Sequence, residues 1–235
     1  MKGLELSVVT GASSIPLQFR VKRMVNGGYV GRDVEAVKAH LAELSREGVP
    51  APPSVPMIFP VLSDNITADD RIEVIGNKTS GEAEFVLLFD AENIFVGVGS
   101  DHTDRELERE SIVMSKQVCP NVLSPQVWKY DDVEEGWDDL TIQGWVKPRD
   151  AEEWLLYQKA PLGTIISARD LIGLVKPAIK DGGVEGLVIF SGTVPILTRE
   201  MVFGSAFRAE LIDARRDRKL RCEYRVVVLD YLKGY

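Results

Sequence analysis

Alternation of apolar and polar positions dominates this chain, and that period of two is the signature of strands with one buried face. Residues 4–9 and 15–25 read as two strands about a turn at Gly11 to Ser14, with Leu17, Phe19 and Val21 in step in the second. The period changes at residue 34. Val34, Val37, Leu41 and Leu44 recur at three- and four-residue steps, which predicts a helix over 34–46, entered through Asp33 as N-cap and stopped by Gly48. VPAPPSVP follows as an extended connector, because proline fits neither a helix interior nor a central strand. From Met57 the alternation returns in MIFPV, RIEVIG, EAEFVLLF and IFVGVGSD, separated by the turn-rich SDNITADD, NKTSG and DAEN. Residues 103–115 suit a second helix, and QVCPNVLSPQVW reads as a proline-punctuated loop. Strands over 140–147 and 153–158, a helix in SARDLIGLVKPAI capped by Ser167, and strands in LVIFSGT, SAFRAELIDA and CEYRVVVLDYL complete the pattern.

Many short strands and only three helices exclude a regular strand–helix alternation. The expected class is α+β and strand-rich: a mixed β-sandwich roll or partly open barrel with peripheral helices. At 235 residues the chain is long enough for one large domain over 1–235.

Charge and composition narrow the function classes. The formal net charge is -8, and the one basic stretch, RRDRKLR, contains Asp217 and reads as a solvated hairpin, so nucleic acid is not the expected partner. No apolar run approaches the 18 residues of a membrane span, and the N-terminus lacks the apolar block of a signal peptide. Cys119 and Cys222 share no metal or redox spacing and suit a reducing compartment, so a cytoplasmic protein is expected. The glycines of NGGYVGRD match neither a dinucleotide fingerprint nor a phosphate loop, and no Gly-x-Ser-x-Gly elbow is present.

The chemistry concentrates in GEAEFVLLF. Its period of two places Glu82, Glu84, Val86 and Leu88 on one face and Ala83, Phe85, Leu87 and Phe89 on the other. If DAEN closes an antiparallel hairpin, Phe89 faces Ile94, and the same register sets Asp101 opposite Glu82 and Gly99 opposite Glu84. Three carboxylates then converge beside a glycine that leaves room for a hydrated ion. Like charges across a sheet are destabilising unless a cation neutralises them, and all-oxygen ligation suits Mg2+ or Mn2+. The competing reading has Glu82 and Glu84 facing solvent at a strand edge.

Other polar residues are open to two readings each. His40 and Glu43, three apart on a helix, have the form of a base with an orienting carboxylate, or of a surface pair. His102 points away from the carboxylates and reads as a polar turn residue. Lys116, in an otherwise uncharged loop, is an ammonium able to stabilise developing negative charge, or a solvated lysine. Gly192 and Thr193, ending the strand IFSGT, either present an N–H and a hydroxyl to a ligand carboxylate or make a tight turn.

These motifs, in this order, resemble the fumarylacetoacetate hydrolase superfamily, and within it a divergent branch with GVGSDHTDRE followed by SKQ-x-CPNVLSP. The resemblance spans residues 26–210. It implies that Glu82, Glu84 and Asp101 hold Mg2+ (or Mn2+), that Lys116 is the family lysine, and that His40 and Glu43 are the dyad of a lid. It further implies that Tyr29, Arg32, Gly192 and Thr193 line the substrate. Residues 1–25 would then be N-terminal strands, 26–56 a lid-like loop and helix, and 57–235 the metal-binding catalytic core. Departures are the eleven residues between Tyr29 and His40, a missing strand lysine after Phe59, valine for proline at Val194, and a short Glu84 to Asp101 interval. The implied activity is hydrolysis of a carbon–carbon bond in a small 2-oxo acid by a homodimer. Decarboxylation, isomerisation or hydration on the same metal, or a metal-free binding role, are the alternatives.

Overall fold

The computed structural model describes residues 1–11, 13–35, 37 and 54–232. Three strands open the chain: β1 (Lys2–Thr10), β2 (Ser13–Val21) and β3 (Arg23–Gly28). The single strand expected over 15–25 is two, because the alternation slips by one at Lys22 and both Val21 and Met24 are buried. Of the helix expected over 34–46, Val34, Glu35 and Val37 are described and helical, with the Val37 N–H donating to the Asp33 carbonyl. His40 and Glu43 lie outside the described residues. The chain resumes through β4 (Met57–Val61), β5 (Ile66–Thr67), β6 (Arg71–Val74) and β7 (Thr79–Ser80). A central hairpin follows, β8 (Ala83–Phe89) and β9 (Ile94–Asp101), then the short β10 (Thr103–Asp104).

The helix expected over 103–115 is broken in two, α1 (Arg105–Glu110) and α2 (Ile112–Val118), since Ser111 leaves helical geometry and caps the second. Lys116 is therefore helical and buried, not in a loop. The stretch expected as a loop contains β11 (Asn121–Leu123) and β12 (Gln126–Lys129). Pro120 and Pro125 sit just outside these strands, where no ladder hydrogen bond is lost. The remainder is β13 (Thr141–Pro148), β14 (Leu155–Pro161), α3 (Ala168–Ala178) capped by Ser167, β15 (Leu187–Phe190), β16 (Gly204–Asp213) and β17 (Arg218–Val228).

A ten-stranded sheet runs β2-β1-β12-β9-β8-β15-β3-β4, with β11 and β5 alongside, and a five-stranded sheet runs β14-β13-β16-β17-β6. Only Lys22 separates β2, at one edge of the large sheet, from β3, next to the other edge. The sheet must therefore curl back on itself, which gives the partly open barrel. Inside the curl lie Leu4, Phe19, Met24, Val86, Leu88, Phe95, Leu123 and Phe190. Its outer side packs Phe85, Leu87, Val96, Val98 and Ile189 against the five-stranded sheet and α3. Both faces of β8 are thus buried, and burying its alternate apolar side chains contributes about 1.5–3 kcal/mol each. Among the described residues no helix is long and apolar enough to cross a membrane. The basic stretch forms the β16–β17 turn, where Arg215, Arg216 and Arg218 pair with Asp139 and Asp213.

Candidate metal centre

The hairpin has the register that its sequence predicts. Phe89 pairs with Ile94, Glu84 with Gly99 and Ala83 with Ser100, and the Asp101 N–H donates to the Glu82 carbonyl at 3.2 Å. Ala91 and Glu92 form the two-residue turn, closed by an Asp90 N–H to Asn93 carbonyl bond. Glu82, Glu84 and Asp101 consequently share the inner face, at one end of the curl. One carboxylate oxygen from each lies within 4.8 Å of the others.

Two cations serve this group. The Lys116 ammonium contacts Asp101 Oδ2 and lies 3.6 Å from Glu82 Oε2. Its helix is held in place by Asn65, whose side-chain N–H bonds the Lys116 and Cys119 carbonyls. Arg105 bridges Glu82 Oε1 at 3.0 Å and Glu108 at 2.7 Å, and donates to Ser80. Glu84 accepts one N–H, from Gly192 at 2.9 Å. Gly192 has φ +85°, a left-handed conformation suited to glycine, and it aims that N–H at the carboxylate.

The electrostatics differ between the two glutamates. Burial raises the Glu82 carboxyl, but Arg105 and then Lys116 more than offset it and hold it below the usual range. Glu84 is pushed well above that range by burial, then by Asp101 and Glu82. Lys116 stays firmly protonated: burial disfavours its charge, and Asp101, Glu82 and Glu84 overcome that.

Asp101 Oδ1 is fully buried and has no hydrogen-bond partner. This is the observation that tests whether a cation fits. A buried carboxylate oxygen without a donor is costly, and on a residue clustered with two further carboxylates it is the kind of group a hard divalent ion stabilises. An octahedral Mg2+ at about 2.1 Å sets adjacent ligand oxygens about 3 Å apart and opposite ones about 4.2 Å. Three carboxylates with oxygens within 4.8 Å of one another, one of them on a residue with an undonated buried oxygen, are a donor set that suits such an ion.

Three expectations are corrected. The space at Gly99 is not kept for an ion: a Cβ there would meet the Val122 carbonyl at 2.5 Å and the Phe190 ring at 2.7 Å. His102 is not a turn residue but is buried behind the sheet, its Nδ1 on Tyr224 Oη and its Nε2 on Thr79 Oγ1, both at 2.9 Å. Burial drops its imidazole to about 3, so it stays neutral. Tyr224 in turn meets Ser100, whose hydroxyl accepts the Glu82 N–H. Lys116, read as a loop residue, reaches the cluster from α2.

Tyr29, at φ 57°, is half-buried, and its hydroxyl senses Glu108 and Lys116 after burial itself, which raises its pKa. Arg32 is tied to Asp138 by a two-pronged ion pair and to the Ile165 carbonyl. Thr193 donates to the Ala83 carbonyl and accepts from Gln158, bracing the start of β8. Arg105, the Ser100–Tyr224–His102 network and Asn121 were not singled out from sequence. Ser100, His102 and Arg105 lie within SDHTDRE and Asn121 within CPNVLSP, whereas Tyr224 had no local signal.

The curled mixed sheet has the topology of fumarylacetoacetate hydrolase-like folds among solved structures. Solved structures with this fold include 2-keto-3-deoxy-D-arabinonate dehydratase complexed with magnesium and 2,5-dioxopentanoate, at TM-score 0.60 and 16% identity, covering 88% of this chain and 73% of that one. A 5-carboxymethyl-2-hydroxymuconate delta-isomerase from Mycobacterium smegmatis matches at TM-score 0.63 and 14% identity, covering 92% and 86%. A fumarylacetoacetate hydrolase from psychrophilic Exiguobacterium antarcticum matches at 0.59 and 13%, covering 94% and 83%. Residues 27–224 match the family described as "Protein of unknown function (DUF2848)", and the chain belongs to that family. No curated protein matches the sequence.

Proposed function

We propose that this protein is a Mg2+- or Mn2+-dependent enzyme that hydrolyses a carbon–carbon bond in a small, acylpyruvate-like 2-oxo acid. The observation that carries the reading is the unpartnered, buried Asp101 Oδ1 beside Glu82 and Glu84. A bound divalent ion supplies Lewis-acid polarisation of a substrate oxygen and a template for a chelating carboxylate and keto group. Lys116, kept protonated by three acids, stabilises negative charge that develops on the substrate. Arg105 holds Glu82 ionised and oriented, and Gly192 fixes Glu84. The base that activates water is then His40, with Glu43 as its partner acid, as the family resemblance implies.

A second reading, decarboxylation or dehydration without a water-activating histidine, is favoured by His102. That residue, the histidine among those described, is locked in a neutral network on the other face of the sheet. Chelator-stripped protein assayed on acylpyruvates and oxaloacetate, with and without Mg2+ or Mn2+, separates the readings. We expect metal-dependent turnover that is lost in Glu82→Gln and Lys116→Ala. Loss in His40→Ala supports hydrolysis and retention there supports the lyase. Full activity of Glu82→Gln refutes both.

A further inference from the structure

Asn121 is fully buried, and both its side-chain Oδ1 and Nδ2 lack a hydrogen-bond partner. A buried amide with neither end satisfied is rare enough to need a physical cause. Its position supplies one. Asn121 is the cross-strand neighbour of Asp101 in the β11–β9 ladder, so their Cβ atoms stand about 5 Å apart. The face is fixed by its neighbours on β11: Leu123 packs inside the curl with Val86 and Leu88, whereas Val122 packs on the outer side. Asn121 therefore shares the inner face with Glu82, Glu84 and Asp101. Asparagine and aspartate have side chains of equal length, so the amide and the carboxylate reach the same height above the sheet. Asp101 likewise carries an unpartnered buried oxygen, Oδ1.

We infer that Asn121 is a fourth oxygen donor of the metal centre, a neutral carboxamide beside three carboxylates. This rests on the metal-binding reading of the acidic cluster. A neutral donor adds an oxygen without adding to the repulsion among Glu82, Glu84 and Asp101, which suits a site already crowded with negative charge. The amide nitrogen is left free to donate to an oxygen of the ligand that the ion holds.

The test uses full-length, chelator-stripped protein, Mn2+ as the probe, and two readouts: calorimetric Mn2+ affinity and metal-free thermal unfolding. Asn121→Leu removes an unsatisfied buried amide for a side chain of similar shape, so without metal it should melt at or above the wild-type temperature. It should bind Mn2+ at least about tenfold more weakly. Asn121→Asp, which keeps the oxygen, should bind Mn2+ at least as tightly as wild type. An N121L protein that binds Mn2+ within about twofold of wild type, or that melts lower without metal, overturns the role of Asn121 and leaves the metal centre standing. N121D binding as poorly as N121L overturns it as well. A wild-type protein that binds no Mn2+ overturns the metal reading and this inference together.

Discussion

Replacing Glu84 with glutamine separates the electrostatics of the cluster from its packing. The amide keeps an oxygen for the Gly192 N–H and removes one negative charge. Unit charges 4.8 Å apart repel by about 3.5 kcal/mol at an effective dielectric of about 20, and Glu84 has two such neighbours. The N–H bond from Gly192 contributes about 1.5–3 kcal/mol in return. Repulsion wins, in keeping with the raised Glu84 carboxyl, for which burial is the first cause. The sign of the pH dependence follows. The folded carboxyl binds its proton more tightly than the unfolded one, so metal-free wild type loses stability as pH rises from the ordinary glutamate range through the raised value. That loss is at most about 1.4 kcal/mol per pH unit, and Glu84→Gln, which cannot titrate, is free of it. Saturating Mn2+ inverts the order: wild type gains about 2.7 kcal/mol at 100 times Kd, and the variant gains about 1.4 kcal/mol less for each tenfold loss of affinity. Urea unfolding from about pH 5 to about pH 9, with and without Mn2+, measures both effects. Parallel pH curves for the two proteins without metal, or no gain for wild type with Mn2+, would refute the reasoning.

Other perturbations probe the supports of the site. Lys116→Met strips the ammonium from buried Asp101 and Glu82 and should cost about 3–5 kcal/mol without metal, with a smaller deficit in Mn2+, both read by urea unfolding. Gly99→Ala forces a Cβ against the Val122 carbonyl and the Phe190 ring, and a thermal melt should show a loss of about 1–3 kcal/mol. His102→Gln disturbs the bonds to Tyr224 and Thr79 and should cost about 1–3 kcal/mol at neutral pH. Because His102 is held at about 3, wild type carries stability above the unfolded histidine value that is lost as pH falls toward 3. The difference between wild type and His102→Gln should therefore shrink on acidification below about pH 6.5, a trend that a titration of unfolding free energy against pH checks.

The convergence of Glu82, Glu84 and Asp101 was legible because a strand has a period of two and a two-residue turn fixes the register. Closing DAEN as a two-residue or as a four-residue loop gives the same pairing of Phe89 with Ile94, and the structure has the former. What lay beyond sequence reasoning depends on partners distant in the chain. Thr79 and Tyr224, which turn His102 into a buried brace, stand on strands that no local pattern joins to it. β11 and β12 are three and four residues long and flanked by prolines, so only their pairing with β9, β5 and β1 makes them strands. The helix break at Ser111 hid Lys116, because capping there restarts the helix within one residue. The slip of phase at Lys22 was visible, yet its consequence, joining opposite edges of one sheet, belongs to topology and not to pattern.

The hairpin that carries Glu84 and Asp101 turns at Ala91 and Glu92, both exposed, at the end of the seven-residue β8. At about 3.3 Å per residue, that tip stands about 20 Å from the carboxylates. A fluorophore or short peptide grafted between Ala91 and Glu92 would ride on the same rigid strand while staying clear of the ion and whatever it binds. The molecule thus comes with an attachment point through which occupancy could be followed by energy transfer without touching the donors.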